Sequence, residues 1–89
     1  KKTRRMEIFL HTGELKEKGK YKNDLKVGVW EYYFMDGTIE QIGSYAKGKP
    51  TGTWKWFYPN RELRLEEEYA NGVEDGLSIE YSDSGTVVA

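Results

Sequence analysis

The chain has 89 residues, enough for one small domain, and a formal net charge of −1, so its bulk charge predicts no affinity for nucleic acid or membranes. It has no cysteine, which excludes disulfides and thiolate metal sites, and no apolar run near the ~18 residues of a transmembrane helix. Aromatic residues make up 15% of the chain, which argues against disorder because disordered chains are poor in aromatics.

The sequence repeats with a period of 24 residues and needs no gaps. A tyrosine, a glycine and a second aromatic residue recur in each copy, at Tyr21, Tyr45 and Tyr69, at Gly28, Gly52 and Gly76, and at Tyr33, Phe57 and Tyr81. A short fixed period is typical of repeat architectures, in which each unit buries its apolar face against its neighbours. The pattern therefore favours a scaffold over a catalytic pocket.

In chain order, a single domain over 1–89 divides into a half repeat (6–18), a repeat (19–42), a second repeat (43–66) and a degenerate C-terminal repeat (67–89). Each unit predicts a β-hairpin. In the first unit, one strand runs from Trp30 to Phe34 and the other from Thr38 to Tyr45. Segment 60–70 is rich in helix formers but shares the phase of the second strands, so we predict a strand. Roughly three repeats are the usual minimum, which leaves open a fragment of a longer protein.

Glycines at fixed phases mark the predicted turns. Met35-Asp36-Gly37 separates the two strands of the first unit, and Asp-Gly is a strong hairpin signal because glycine adopts φ > 0 without steric cost. We assign turn roles to six glycines: Gly13, Gly28, Gly37, Gly52, Gly76 and Gly85. Arg61 occupies the phase of Gly37, so we expect Arg61 to adopt φ > 0 at a cost of about 1 kcal/mol.

Period-2 alternation places the tryptophans on one face of the predicted sheet. The candidate partner-binding residues are the aromatic side chains of that face: Trp30, Tyr32, Trp54, Trp56 and Tyr58. Aromatic rings dominate the energetics of protein interfaces. The alternative, which we favour for most of these rings, is that they pack against one another as the only core of the chain. Each buried ring then contributes about 2–3 kcal/mol.

Taken together, these residues resemble a known repeat. The pattern Gly-x-Tyr, polar turn, Gly-x-Trp-x-x-Tyr/Phe and Asp/Asn-Gly-x-Leu/Ile is similar to the MORN repeat, and specifically to its bacterial variant of antitoxin-like proteins. The matching residues are Gly19, Tyr21, Gly28, Trp30, Tyr33, Gly37 and Ile39 in the first unit, Gly43, Tyr45, Gly52, Trp54, Phe57 and Leu63 in the second, and Tyr69, Gly76, Tyr81, Gly85 and Val87 in the third. The resemblance covers nearly the whole chain.

The resemblance implies an elongated, solenoid-like, single-layer antiparallel β-meander of hairpins, and a role in protein association or, in some members, at membranes. The chain departs from the pattern at three positions: Arg61 replaces the turn glycine, Glu67 replaces the opening glycine and Ser78 replaces the tryptophan. The third unit is therefore degenerate, as are many terminal repeats that cap an array.

No motif predicts catalysis, a cofactor or a metal site, so we expect a non-enzymatic protein. Segment 43–49 matches the first part of a phosphate-binding loop, but Pro50 replaces the hydroxyl residue and a strand follows instead of a helix. His11 is the only histidine and lies in a predicted turn, and the serines lack a nucleophile-elbow pattern. The acidic run 66–68 alternates between the two faces of a strand, so it does not form one ligand set.

We expect a repeat scaffold that mediates protein–protein interaction, including homo-oligomerisation through free edge strands, because open edges are templates for pairing. Two alternatives stay open: cell-wall glycan or choline-type binding by the aromatic rings, and association with lipid headgroups through the basic segment 1–5. The sequence does not identify the partner, decide whether a toxin is involved, or choose between the cytoplasm and a bacterial cell surface.

Overall fold

The computed structural model describes residues 3–9 and 15–88, so the predicted turn glycine Gly13 and His11 lie outside the described residues. The described part forms one antiparallel sheet in which each strand pairs with the next in sequence. Its strands are β1 (Thr3–Phe9), β2 (Leu15–Lys22), β3 (Leu25–Tyr33), β4 (Ile39–Ala46), β5 (Lys49–Phe57), β6 (Leu63–Ala70) and β7 (Val73–Glu80). The molecule measures 43 × 35 × 12 Å, so the sheet is a single layer and the predicted all-β meander is confirmed.

Three-residue loops close the three hairpins that the structure describes beyond residue 25, at residues 35–37, 59–61 and 83–85. In the loop between β3 and β4, Phe34 N–H donates to the Thr38 carbonyl (2.8 Å) and Gly37 N–H donates to the Phe34 carbonyl (2.9 Å). Gly37 has φ 89°, as expected for the left-handed residue that closes such a loop. The equivalent residues are Arg61 at φ 74° and Gly85 at φ 92°, which confirms the positive φ predicted for Arg61.

Two-residue turns connect one unit to the next. Both central residues of each turn have positive φ, which is the type I′ geometry that fits the twist of antiparallel strands: Asn23 (53°) and Asp24 (65°), Lys47 (51°) and Gly48 (82°), and Asn71 (52°) and Gly72 (87°). Because these turns are so tight, the strand that carries Trp30 begins at Leu25, earlier than the aromatic pattern predicted. Segment 60–70 contains β6, so it forms a strand and not a helix.

Three of the predicted turn glycines lie inside strands instead. Gly28, Gly52 and Gly76 belong to β3, β5 and β7, at φ values of 70°, 76° and 118°. The register explains their conformation, because Lys18 pairs with Glu31 but Lys20 pairs with Val27, so residues 28–30 lie opposite a single residue of β2. Such an irregularity bends the strand and commonly needs one left-handed residue, which glycine supplies without steric cost.

Candidate functional site

Two tryptophans and two glycines form the centre of one face of the sheet, which we call the aromatic face. The indole of Trp30 covers Gly19, and a Cβ added to Gly19 would lie 2.0 Å from Trp30 Cδ2. The indole of Trp54 covers Gly43 in the same way, again at 2.0 Å from an added Cβ. Each ring therefore fills the space that a side chain on the neighbouring strand would occupy, and glycine is required beneath it.

The strand irregularity places a hydrogen-bond acceptor at the edge of each indole. Trp30 Nε1 donates to the Lys20 carbonyl (3.1 Å), and Trp54 Nε1 donates to the Ser44 carbonyl (3.2 Å). Both carbonyls belong to residues that border a register shift. Lys20 borders the shift between β2 and β3, and Ser44 borders the shift between β4 and β5. A buried indole N–H that finds such a partner avoids a desolvation penalty of about 1–3 kcal/mol.

Tyrosines pack edge-on between the tryptophans and continue the row across the sheet. Tyr21 meets Trp30 at 5.3 Å between ring centroids and 89° between planes, and Tyr45 meets Trp54 at 5.1 Å and 88°. Tyr45 also contacts Trp30 (6.3 Å), and Tyr69 contacts Trp54 (6.2 Å). Edge-to-face pairs of this kind contribute about 0.5–1.5 kcal/mol beyond the area they bury.

The structure divides the five aromatics that the sequence nominated for partner binding. Trp30 is 0% exposed and Trp54 is 2% exposed, so neither can contact a partner, and both belong to the core. Tyr32, Trp56 and Tyr58 are half-buried and keep an accessible surface. Tyr58 is also tied to the third unit, because its hydroxyl donates to the Tyr81 carbonyl (2.6 Å). The accessible part of the candidate surface is therefore limited to Tyr32, Trp56 and Tyr58.

Three rings on the aromatic face surround the ammonium group of Lys26. We call these rings, Trp30, Tyr32 and Tyr45, the first box. Lys26 Nζ lies 4.6 Å from the Trp30 centroid, 5.1 Å from the Tyr45 centroid and 5.6 Å from the Tyr32 centroid. Lys26 Nζ also donates to Tyr32 Oη (3.3 Å), which lies 3.1 Å from Tyr45 Oη. Burial, followed by the hydrogen bond with Tyr32, raises the pKa of Tyr45 to about 12. The first box thus holds a cation supplied by its own strand.

The corresponding group in the next unit, the second box, consists of Trp54, Trp56 and Tyr69. Trp56 lies 6.1 Å from Trp54 at 35° between planes, close to the 6.4 Å and 29° of Tyr32 and Trp30. Pro50 holds the position that corresponds to Lys26, one 24-residue period later. Within the described residues, the cation–π contacts are made by Arg4 and Lys26, and neither reaches the second box. The second box therefore has the rings of the first without its ammonium group.

Two carboxylates border the second box instead. Tyr69 Oη donates to Glu67 Oε1 (3.1 Å), and Tyr69 pairs across the sheet with Glu74. Burial, followed by the hydrogen bond with Glu67, raises the pKa of Tyr69. The negative charge of Glu67 raises the pKa of the exposed Glu74 carboxyl.

The opposite face of the sheet is more polar. Lys18 Nζ lies 3.9 Å from Glu31 Oε1, and Lys55 Nζ lies 3.9 Å from Glu66 Oε2. These side chains are partly exposed, so each pair contributes little to stability. The hydroxyl of Tyr33 donates to Glu31, and burial followed by this hydrogen bond raises the pKa of Tyr33 to about 12.

The structure adds little support for the candidate phosphate, metal and lipid sites. Segment 43–49 ends β4, forms a two-residue turn and begins β5, so no helix follows it to cradle a phosphate. No group of three or more His, Asp or Glu side chains could hold a metal ion among residues 3–9 and 15–88. In the basic segment, Arg4 pairs with Asp24 (3.5 Å) and lies over Tyr21, while Lys1 and Lys2 lie outside the described residues.

Sequence reasoning missed two relationships that define the aromatic face. Trp30 and Trp54 each cover the glycine eleven residues earlier, and this spacing is readable in the sequence as Gly19/Trp30 and Gly43/Trp54. The residues that set the charge of the boxes were also missed, although Lys26, Pro50 and Glu74 share one phase of the repeat. Their significance depends on ring positions that only the folded sheet defines.

Comparison with known families finds the repeat in two copies. The profile of the MORN repeat variant family matches residues 26–47 and 50–71, and the two matches begin one 24-residue period apart. Neither a search of curated proteins nor a search of solved structures found a significant match. The described residues contain no helix that is long and apolar enough to cross a membrane.

Proposed function

We propose that this chain, which carries two MORN repeat variant units, is a non-enzymatic scaffold that binds proteins and associates with itself through an edge of its sheet. MORN repeats are generally protein- or membrane-binding motifs. The observation that supports the proposal best is the open, single-layer sheet, in which β1 and β7 are edge strands in the described part of the chain. An open edge presents unpaired backbone groups that another strand can complete.

The β1 edge is self-complementary in charge. If two copies of β1 pair antiparallel about a two-fold axis at Met6, Arg5 of one copy lies opposite Glu7 of the other, and the same pair occurs twice by symmetry. Opposite charges in directly facing positions contribute about 0.2–1 kcal/mol for each pair. The β7 edge lacks this property, because it carries Glu74, Asp75 and Glu80 without a basic residue. Self-association is therefore expected at β1.

A charge exchange on β1 tests the interface. In the Arg5→Glu variant, the introduced glutamate faces Glu7 of the second copy, so two attractive pairs become repulsive. We expect the dimer dissociation constant, measured by light scattering and sedimentation across concentration, to rise about ten-fold or more. The double variant Arg5→Glu with Glu7→Arg restores opposite charges across the axis and should return the dissociation constant to near its original value.

The double variant is also a matched control for the fold. Within one copy, Arg5 faces Lys20 and Glu7 faces Lys18, which gives one repulsive and one attractive pair. The exchange makes the first pair attractive and the second repulsive, so each copy still has one pair of each kind. A strictly monomeric chain at millimolar concentration would overturn self-association. Equal dissociation constants for the original chain and the Arg5→Glu variant would move the interface away from β1.

A further inference from the structure

The two boxes of the aromatic face have the same arrangement of rings but different charges, a lysine within the first and carboxylates beside the second. The first box holds the ammonium group of Lys26 among Trp30, Tyr32 and Tyr45, and its neighbours across the sheet include Gly43. The second box has Pro50 in place of that lysine, and its equivalent of Gly43 is Glu67. The first box therefore receives a cation from its own strand, while the second box is bordered by carboxylates and receives no cation within the described residues.

The charges around the second box favour a positive ligand. Residues 60–89 contain eight acidic and two basic side chains, whereas residues 1–33 contain five acidic and nine basic ones. Glu67 is held beside the rings by Tyr69 Oη (3.1 Å) and by Ser78 Oγ (3.2 Å). Its position is therefore fixed by two hydrogen bonds, and its repulsion of Glu74 would be relieved by a cation placed between them.

The accessible part of the second box is small and well defined. Trp54 is 2% exposed and forms the floor, while Trp56 and Tyr69 both contact Trp54 and remain half-buried. Aromatic faces beside carboxylates attract an ammonium group through both the ring quadrupole and direct charge. The site is open on the aromatic face, so a flexible side chain can reach it from above.

We propose that Trp56, Tyr69, Glu67 and Glu74 bind the ammonium group of a lysine side chain from a partner protein. This inference rests on the proposed protein-binding function and specifies the chemistry of the partner. The internal lysine is the reason for choosing lysine, because the same fold already accommodates an ammonium group against three equivalent rings.

A lysine peptide tests the proposal directly. The probe is a peptide of four lysines with blocked ends, and binding is followed by the NMR shift of the Trp56 indole N–H, assigned with a Trp56→Phe variant. We expect saturable shifts at Trp56 and Tyr69, and none with the same peptide acetylated at every lysine Nζ. Choline chloride is titrated separately, because it carries the same positive charge but is a small molecule and not a side chain of a protein. Binding of choline without binding of the lysine peptide overturns the proposal.

Two kinds of variant separate the site from general electrostatic attraction. Pro50→Lys should fill the second box from within and weaken peptide binding by about five-fold or more. Glu67→Gln should weaken it by about three-fold or more, while Asp83→Asn, which removes the same charge at a distant loop, should change it by less than about two-fold. Equal effects of Glu67→Gln and Asp83→Asn would show non-specific attraction and overturn the site.

The peptide-binding test does not depend on self-association through β1. In the Arg5→Glu variant the β1 edge is altered, but the second box, on β5–β7, is unchanged. Peptide binding that persists in a monomeric Arg5→Glu variant supports the lysine site whatever the fate of the β1 interface. If the original chain self-associates but does not bind the lysine peptide, the lysine site is excluded and the scaffold proposal remains in place.

Discussion

The second and third units of the sheet differ at the two positions that form a covered glycine and its indole, and both residues have changed. In the second unit Trp54 covers Gly43 and is almost completely buried. In the third unit the same positions hold Ser78 and Glu67, and Ser78 Oγ donates to Glu67 Oε2 (3.2 Å). A glycine is needed only where an indole lies on it, so loss of the tryptophan allows the glycine to be replaced by a side chain that hydrogen-bonds instead.

The exposure of the strands follows from this difference. β3 and β5 each carry a buried tryptophan, whereas nearly every residue of β7 is exposed, including Leu77 at 73%. Without an indole, β7 has no large ring to cover the backbone of its neighbour. The stability of the sheet should therefore be concentrated in the first two tryptophan–glycine pairs, and the C-terminal strand should open at a lower free energy.

The largest expected effect comes from filling the space under an indole. Gly43→Ala places a Cβ 2.0 Å from Trp54 Cδ2, so the ring must leave its pocket, and we expect a loss of about 3 kcal/mol or more in the free energy of unfolding. Urea denaturation followed by tryptophan fluorescence measures it. Gly52→Ala is the matched control, because Gly52 has open space around it and only a positive φ (76°), so it should cost about 1 kcal/mol. Similar losses for the two variants would contradict the role of the covered glycine.

A smaller effect is expected from restoring the pair in the third unit. Ser78→Trp alone should destabilise the sheet, because the indole would meet the Glu67 side chain. Glu67→Gly alone removes the hydrogen bonds from Tyr69 and Ser78. The double variant should be about 2 kcal/mol more stable than the sum of the two single changes predicts, since a covered glycine and a buried indole form together.

A double-mutant cycle from urea denaturation gives that coupling energy directly. A value near zero would mean that the indole of the third unit does not reach residue 67, and that the rule drawn from the first two units does not extend to the edge of the sheet. Amide hydrogen exchange in β7 provides a second measurement, because successful burial of the new ring should slow exchange there.

The sequence was sufficient for the fold because its signals are local. The positions of Gly37 and Gly85 correctly predicted left-handed residues in the hairpin loops, and alternation correctly assigned segment 60–70 to a strand. The turn role predicted for Gly28 was wrong, and the covered glycines Gly19 and Gly43 were missed, for a common reason. The strand irregularity and the covered glycine both depend on the register between neighbouring strands, and hydrophobic alternation along a single strand carries no information about register. The aromatic positions and the core role of most rings were expected, but which of the rings are buried was not.

The smallest expected effect concerns the loop of the second unit, where Arg61 has φ 74° in the place of Gly37 and Gly85. A non-glycine residue in this conformation costs about 1 kcal/mol, so Arg61→Gly should raise the free energy of unfolding by about that amount. The guanidinium also acts on the loop of the preceding unit, because its charge contributes to the lowered pKa of Asp36, after the hydrogen bonds from Thr38. Arg61→Ala separates the two effects, since it removes the charge but keeps the strained backbone. If Arg61→Gly and Arg61→Ala change the melting temperature equally, the backbone conformation at residue 61 is not strained, and the second loop does not differ from the first in the way that its sequence predicts.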